Sequence, residues 1–234
     1  MNNKTLIFTA TYNESENVKD LLNSINKLDL NLDILIIDDN SPDKTSEIIK
    51  NYAVGGKNIN LIIRDNKQGL DTAHKFAFKY AIEKNYVNLI TLDADLSHDP
   101  NEIPKFIDKL NSNDFVIGSR YIQGGGSNMN GIRLFISYFG NKFIKFMFNI
   151  DCNEFTTSYR GFSLKRFKNF NLDNVSSKGY SFFMETIYLI NKEGITIKEI
   201  PIFFKNRHKG ESKIPKIEIF RTFINLFKLK FFNQ

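Results

Sequence analysis

The chain has 234 residues, of which 41% are hydrophobic and 25% are charged, and its formal net charge is +6. This composition is typical of a folded protein with one large domain or two small ones, and it excludes an intrinsically disordered chain. The single cysteine, Cys152, excludes internal disulfides and metal sites built from several cysteines. Met1 leads almost directly into a strand-like run, so we expect no signal peptide.

The first half of the chain alternates between short apolar runs and helical patterns. We predict strands at residues 5–8, 33–37, 59–63, 87–92 and 115–118, and helices at residues 14–28, 41–52, 70–84 and 100–110. Strands separated by helices of this length indicate βαβ units. The fold class expected is therefore α/β with a mostly parallel sheet flanked by helices.

The alternation ends after Arg120. Residues 123–128, with three consecutive glycines, predict a flexible loop. Residues 132–150 predict an amphipathic helix with one Phe-rich stripe, which we expect to face the core, with membrane contact as the alternative. No segment reaches the roughly 20 apolar residues of a transmembrane helix. The Phe stripe of the helix at 132–150 consists of Phe135, Phe139, Phe143 and Phe146. The remainder of the chain predicts a helix at 180–192, a strand at 195–204, a basic loop and a final helix.

The net charge is concentrated at the C-terminal end. Residues 205–234 contain eight basic and two acidic side chains. Basic residues interleaved with Phe favour a nucleic acid, a membrane surface or a phosphorylated substrate as partner. In the final helix, Phe220, Phe223, Ile224 and Phe227 follow i, i+3, i+4, i+7 spacing, which fits core packing and membrane contact equally. We divide the chain into a catalytic domain at 1–214 and an amphipathic membrane-surface helix at 215–234.

Polar clusters follow three of the predicted strands, at residues 11–14, 38–41 and 93–95. Ligands of open α/β sheets bind outside the carboxyl ends of the strands, so the clusters mark a candidate site. Each cluster could supply a helix N-cap, but a cap accounts for one residue and leaves the additional carboxylates unexplained.

Asp93 and Asp95 are the most informative pair. At a strand end, side chains i and i+2 point the same way, so both carboxylates can reach one cation. Mg²⁺ or Mn²⁺ bound by one or two carboxylates together with substrate phosphates is a common arrangement; the alternative is a solvated turn. The basic loop at 207–213 could neutralise those phosphates, or could equally be a solvated loop.

Five motifs in order then resemble a known family. They are Ala10–Glu14, Ile37–Asp43, Leu92–Pro100, Ile117–Tyr121 and the Arg207–Lys213 loop with its Gly-Glu-Ser-Lys core. The chain resembles the family 2 inverting glycosyltransferases from about Leu6 to Lys213. Within that family, the dolichol- or polyprenol-phosphate mannose synthases are the most similar branch.

The resemblance implies a GT-A fold and assigns a role to each matching position. It implies that five residues line the donor nucleotide, three hold Mg²⁺ or Mn²⁺, three bind the acceptor phosphate and two close over the donor diphosphate. Those groups are, in turn, Thr11, Tyr12, Glu14, Asp38 and Asp39; Asp93, Asp95 and Ser97; Arg120, Arg133 and Ser137; and Arg207 and Lys213. Among them, Asp95, Arg120, Arg133, Arg207 and Lys213 are expected to act directly in catalysis.

The implied reaction is metal-dependent, inverting transfer of a hexose, with mannose expected, from GDP-mannose or a UDP-hexose to a polyprenyl or dolichyl monophosphate. A phosphomonoester is already anionic near neutral pH and requires no general base. Residues 155–162 contain no acid, which favours this acceptor. Glu185 is a nearby candidate base, with buried structural support as its other role. The alternative function is transfer to a sugar hydroxyl of a lipid-linked or surface polysaccharide.

These expectations also define the partners. We expect a peripheral protein at the cytoplasmic face of a membrane, and a membrane-protein subunit is a compatible further partner. Three carboxylate clusters along one edge would repel a nucleic acid and have no use in a simple lipid-binding module. The glycine run lacks the Gly-x-Gly-x-x-Gly spacing, which excludes a dinucleotide-dependent oxidoreductase.

Overall fold

The structure is a computed structural model that describes residues 4–54, 58–167, 169–207 and 217–231, without the side chains of 217–223. The strands are β1 (Thr5–Thr11), β2 (Leu32–Asp38), β3 (Ile59–Ile63), β4 (Asn88–Thr91), β5 (Phe115–Ser119), β6 (Gly126–Ser127), β7 (Arg160–Ser163), β8 (Ile197–Pro201) and β9 (Phe203–Phe204). The helices are α1 (Val18–Asn26), α2 (Thr45–Ala53), α3 (Leu70–Glu83), α4 (Ile103–Leu110), α5 (Gly131–Phe148), α6 (Tyr180–Lys192) and α7 (Ile217–Phe231).

Seven strands form one sheet in the order β3-β2-β1-β4-β7-β5-β8, and β6 pairs with β9 in a second, two-stranded sheet. In the large sheet every adjacent pair is parallel except the two pairs that involve β7. The predicted mostly parallel sheet is therefore confirmed. The carboxyl ends of β1, β2 and β4 lie along one edge, as the sequence analysis required.

Strand β7 was not predicted, and its position matters for the site. It runs antiparallel between β4 and β5, so Arg160 at its start pairs with Thr91 near the end of β4 and with Ile117 in β5. Because of this direction, the residues just before β7 arrive at the same edge as the carboxyl ends of the parallel strands. The fold thus delivers residues 154–159 to the candidate site.

Hydrophobic clusters cover both faces of the sheet. Alternate residues of β1 and β2 point to opposite faces, as the two-residue period of a strand requires. One cluster packs α3 and α6 against Leu6, Phe8, Leu35 and Ile37. The other packs α1, α2 and α4 against Ile7, Ile34 and Ile36. This three-layer arrangement keeps the strand ends at a fixed edge and leaves them open to a ligand.

Helix α5 contradicts the expected core packing. Only Asn141 and Ile144 of its 18 residues are buried. Phe135, Phe139 and Phe143 are between 40% and 60% exposed, and Phe146 is 86% exposed. The prediction that the Phe stripe faces the core is wrong, because the helix lies on the surface and contacts the protein through another edge, which includes Asn141, Ile144 and Phe148.

Helix α7 packs on α6 through one side only. Leu226 and Leu229 are buried, and Asn225 Nδ2 donates a hydrogen bond to Ser181 Oγ at 3.1 Å. Ile224, Phe227 and Phe231 remain 41–62% exposed on the other side. The predicted stripe residues Phe220 and Phe223 have side chains outside the described residues. In the described part of the chain, no helix combines the length and apolarity that a membrane span demands.

Candidate active site

The polar clusters that follow β1 and β2 are bonded to each other. Thr11 Oγ1 donates to Asp38 Oδ1 at 2.7 Å, and the Ser41 hydroxyl and backbone N–H donate to the same carboxylate at 2.6 and 2.8 Å. Asp38 is fully buried. It therefore fastens the ends of two adjacent strands and shapes the edge on which the other site residues stand.

The neighbouring Asp39 has a different set of partners. Its carboxylate accepts from Arg64 Nη1 at 2.9 Å and from the backbone N–H of Gly69 at 3.1 Å. Gly69 has a φ of +98°, a conformation that a residue with a side chain adopts only under strain. Beside this group, Lys67 Nζ lies 4.0 Å from the centre of the Tyr12 ring. Tyr12 thus has a cation on one face, and the sequence analysis did not identify Lys67.

Asp93 and Asp95 lie in a turn just beyond β4, with Ala94 buried in the core between them, as predicted. Asp95 Oδ1 accepts from the backbone N–H of Ser97 at 3.0 Å and from its hydroxyl at 2.6 Å. Ser158 Oγ donates a short hydrogen bond to Asp93. Burial raises the pKa of Asp93, and the neighbouring Asp95 carboxylate raises it further. Asp95 is buried and the Asp93 side chain is 38% exposed, and hydrogen bonds hold both carboxylates in an ordered turn.

The buried ring of His98 packs under this turn, on the core side, and is hydrogen-bonded to it. The backbone N–H of Asp93 donates to His98 Nδ1 at 3.1 Å, so Nε2 carries the proton and donates to Thr157 Oγ1 at 3.0 Å. The ring is 1% exposed, and burial lowers the pKa of His98. The imidazole is therefore a neutral part of the scaffold.

Asp93 and Asp95 fit a hard divalent cation. Carboxylate oxygens are the ligands that Mg²⁺ and Mn²⁺ prefer, and Ser97 adds a hydroxyl oxygen within hydrogen-bond distance of Asp95. Among the described residues, no group of three or more acidic, histidine or cysteine side chains could hold a metal. The remaining ligands would have to come from substrate phosphates or water, which is the expected situation for a cation bound together with a diphosphate.

Arg207 links the polar cluster at residues 11–14 to the cluster at residues 93–95. Its Nη2 lies 3.0 Å from Asp95 Oδ2, and its Nη1 lies 3.3 Å from Glu14 Oε1. Glu14 is itself buried and accepts from Asn17 Nδ2 at 2.8 Å. The structure therefore places Arg207 beside the predicted metal-binding carboxylate Asp95, and its predicted contact with a donor diphosphate stays a prediction. Lys213 lies outside the described residues.

Arg120, directly after β5, forms a buried ion pair with Glu154. Nε donates to Oε2 at 2.7 Å and Nη2 donates to Oε1 at 2.8 Å, and Nη2 also donates to Thr156 Oγ1 at 2.7 Å. Burial would raise the pKa of Glu154, but Arg120 outweighs it and holds that pKa below the usual range. Burial would likewise lower the pKa of Arg120, whereas Glu154 raises it.

The glycine run packs directly behind Arg120. A Cβ on Gly125 would lie 2.5 Å from the carbonyl oxygen of Ser119, so only glycine allows the two backbones to approach. Gly126 then donates its N–H to Ile202 at 3.0 Å and begins β6. The predicted flexible loop is therefore an ordered strand connection that supports the arginine.

An apolar cavity of about 440 Å³ opens beside Arg120. Its walls come from the β5–β6 connection and the first two turns of α5, namely Arg120, Tyr121, Gly126, Ser127, Gly131, Leu134, Phe135, Tyr138 and Phe139. The Tyr121 hydroxyl donates to Ser137 Oγ at 2.6 Å, which places Ser137 behind this wall. Arg133 is exposed on the first turn of α5, one helical turn from Ser137.

Tyr180, the first residue of α6, is affected electrostatically by both groups of charged side chains. Burial and the Asp93 carboxylate raise the pKa of Tyr180 to about 12, and Arg133 and Arg120 act in the opposite direction. The sequence offered no signal for Tyr180.

Residues 154–158, which we call the bridging segment, contact both ends of this site. Glu154 and Thr156 bind Arg120, whereas Thr157 and Ser158 bind His98 and Asp93. Glu154 lies one residue before the acid-free segment 155–162 and was not among the predicted site residues. Glu185 is 3% exposed and accepts the backbone N–H groups of Ser176 and Ser177 at 2.9 and 2.7 Å, which is the structural role considered for it.

Comparison with known proteins identifies the family. A model described as Glycosyl transferase family 2 matches residues 6–170. The undecaprenyl-phosphate mannosyltransferase of Micrococcus luteus is 32% identical over 212 residues, covering 90% of this chain and 87% of the relative. The polyprenol monophosphomannose synthase of Mycolicibacterium smegmatis is 31% identical over 214 residues, covering 90% and 81%.

A solved structure supports the same fold. The glucosyl-3-phosphoglycerate synthase of Mycobacterium tuberculosis, in complex with Mn²⁺, UDP and glucosyl-3-phosphoglycerate, superposes with a TM-score of 0.66 at 15% identity. The match covers 98% of this chain and 80% of that one. The GT-A fold expected from the resemblance is confirmed, and the chain belongs to glycosyl transferase family 2.

Proposed function

We propose that this enzyme transfers mannose from a nucleotide-diphosphate sugar to a polyprenyl monophosphate, with inversion at the sugar carbon. The observation that carries the proposal is the combination of a carboxylate pair at the end of β4 with an arginine that opens on an apolar cavity of about 440 Å³. The carboxylate pair suits a diphosphate bound with a cation, and the arginine beside the apolar cavity suits a phosphate attached to a hydrocarbon chain. The two relatives named above are a mannosyltransferase and a mannose synthase of polyprenyl phosphates.

The donor would bind at the carboxyl ends of β1, β2 and β4. Thr11, Tyr12, Glu14, Asp38 and Asp39 surround the nucleotide in this proposal, and GDP-mannose is the donor that we favour over a UDP-hexose. Arg207 and Lys213 neutralise the diphosphate as it leaves. Positive groups placed where negative charge develops contribute to catalysis because they need no reorganisation during the reaction.

Asp93, Asp95 and Ser97 would hold the divalent cation, either Mg²⁺ or Mn²⁺. A cation at this position supplies electrostatic stabilisation of the charge on the leaving diphosphate. Burial raises the pKa of Asp93 and the neighbouring Asp95 carboxylate adds to that effect, so a cation shared by the two carboxylates would relieve their repulsion. Arg207 already contacts Asp95 and so provides part of the compensating charge.

The acceptor phosphate would bind to Arg120, Arg133 and Ser137, with its isoprenoid chain along the cavity wall. A phosphomonoester attacks without a general base because its second pKa is about 6. The acids nearest to the acceptor end are poor bases: Glu154 is ion-paired with a lowered pKa, and Glu185 accepts two backbone N–H groups. This supports a phosphate acceptor over a sugar hydroxyl.

The acceptor would be reached from a membrane surface. The exposed aromatic side of α5 and the exposed side of α7, with Lys228 and Lys230, form the contact in this proposal. Basic residues near an anionic leaflet contribute about 1 kcal/mol each. We therefore place the enzyme peripherally at a cytoplasmic membrane face, with residues 215–234 as a membrane-surface helix. A membrane-protein subunit could add to this attachment.

The test is a transfer assay with purified full-length protein. It would combine a short polyprenyl phosphate with labelled GDP-mannose or UDP-glucose, each with Mn²⁺, with Mg²⁺ or with EDTA. We expect a mannosyl lipid that forms only with a divalent cation. No metal-dependent lipid product from either donor would refute the proposal, and product from polyprenol without its phosphate would indicate the hydroxyl-transfer alternative.

A further inference from the structure

The N–H groups of Arg120 are unevenly used. Nε and Nη2 donate to the Glu154 carboxylate at 2.7 and 2.8 Å, and the second proton of Nη2 serves the Thr156 hydroxyl at 2.7 Å. Within the part of the chain that the structure describes, the partner of Nη1 is the sulfur of Met129, at 3.9 Å. A guanidinium carries five N–H donors. Glu154 and Thr156 therefore accept from three of the five N–H donors of Arg120. The two N–H groups of Nη1 are left for a ligand.

Packing holds the guanidinium in this orientation. Its central carbon lies 4.9 Å from the Tyr121 ring centre and 5.4 Å from the Phe204 ring centre. The side chain of Arg120 is 7% exposed and that of Glu154 is completely buried. Since a bidentate pair between arginine and a carboxylate fixes the plane as well as the distance, the direction of Nη1 depends on Glu154.

The geometry points to Glu154 as a positioning residue, one that turns the Nη1 edge of Arg120 towards the acceptor phosphate and does not itself touch the substrate. This inference rests on the proposed phosphate acceptor. Glu154 also begins the bridging segment, whose Ser158 binds Asp93. The same five residues therefore set the arginine at one end of the site and a carboxylate at the other.

The experiment compares Glu154→Gln with wild type in full-length protein. Glutamine keeps the size of the side chain but places an N–H₂ group where one carboxylate oxygen accepted a hydrogen bond, so the fork is lost. We expect the KM for a short polyprenyl phosphate to rise roughly tenfold or more, as the loss of a charged hydrogen bond implies. The KM for the donor should stay within about twofold, because no contact joins Glu154 to the donor end directly.

Two further variants separate positioning from stability. Glu185→Gln alters another buried glutamate that binds backbone N–H groups and touches no arginine, so it should lower the melting temperature without a selective rise in the acceptor KM. Thr156→Val removes one partner of Nη2 and leaves the ion pair, so a smaller rise is expected. If Glu154→Gln does not fold, Thr156→Val decides between the outcomes.

The outcomes also distinguish this inference from the proposed function. Binding of a soluble isoprenyl phosphate, followed by ³¹P NMR, is measured beside turnover. If wild type binds it but makes no mannosyl lipid, and Glu154→Gln binds it roughly tenfold more weakly, the inference stands and the proposed function fails. An unchanged acceptor KM in active Glu154→Gln overturns the inference. A lower acceptor KM overturns it too, because Glu154 would then compete with the phosphate for Arg120.

Discussion

The two ends of the site are built in opposite ways. At the end proposed for the donor, Glu14, Asp38, Asp39 and Asp95 are buried at or near strand ends and each is bonded to a distant part of the chain. At the end proposed for the acceptor, one buried arginine stands beside α5, a helix with only two buried residues and a row of exposed phenylalanines. The first end is polar and rigidly held, and the second is apolar and open.

This difference matches what each substrate would require. A nucleotide diphosphate brings many charges, which need fixed partners at defined positions. A lipid brings one phosphate and a long apolar chain, which need one cationic group and a surface that can meet a bilayer. Substitutions at the donor end should therefore abolish chemistry, whereas substitutions on α5 should change attachment and leave chemistry intact.

The largest effect is expected at Asp95. Asp95→Ala removes a proposed metal ligand and the partner of Arg207, so we expect turnover to fall by roughly a thousandfold with the fold retained. Turnover with saturating Mn²⁺ and the thermal unfolding curve are the measurements. Asp108→Ala is the matched control, because the Asp108 side chain is 68% exposed on α4 and contacts only Lys109. Retention of more than a tenth of the wild-type turnover would contradict the role of Asp95.

A smaller effect is expected on the surface of α5. Phe146 is 86% exposed and does not line the cavity. Phe146→Ser should weaken binding to anionic phospholipid vesicles about tenfold, because one inserted Phe contributes about 1.5–3 kcal/mol. Turnover of a short, soluble isoprenyl phosphate should not change. Val54→Ser alters an apolar residue that is also 86% exposed, and an equal loss in that variant would show that α5 is not the contact surface.

The smallest expected effect is a pH dependence of the stability that the ion pair between Glu154 and Arg120 contributes. The ion pair with Arg120 holds the pKa of Glu154 below its unfolded value of about 4.3. Its stabilising contribution is therefore complete above that value and is lost as the pH falls through the folded pKa. The difference in melting temperature between wild type and Glu154→Gln should be largest at pH 7 and shrink as the pH falls below about 4.3. A difference that stays constant over this range would contradict the assignment.

Much of the scaffold could be predicted from the sequence, because the signals are local. The apolar runs of β1 to β5 and the apolar spacing of α1 to α4 and α6 predicted these elements to within a few residues. The pattern at residues 93–95 predicted a carboxylate pair at the end of the fourth strand, and the structure places both residues directly after β4 with Ala94 buried between them. Strand β7 was missed because it has four residues and begins with Arg160 and Gly161, which are not strand formers.

Arg160 shows why such a strand depends on tertiary structure. The residue is 1% exposed, and its guanidinium donates to the backbone carbonyls of Thr157, Phe155 and Phe183. A charged side chain becomes acceptable in the core only when the fold supplies its acceptors, here two carbonyls of the segment before β7 and one carbonyl of α6. His98 is likewise 1% exposed, and its ring nitrogens are bonded to Asp93 and to the distant Thr157.

The sequence by itself determined the fold class, the family and the identity of the polar residues at the strand ends, because these follow from local spacing and residue type. Only the tertiary structure decided that Glu154 is the partner of Arg120, that the glycine run is an ordered support and that the Phe stripe of α5 faces outward. The physical reason is that an amphipathic pattern specifies an apolar face without specifying what covers it, and a buried ion pair joins residues 34 positions apart in the chain.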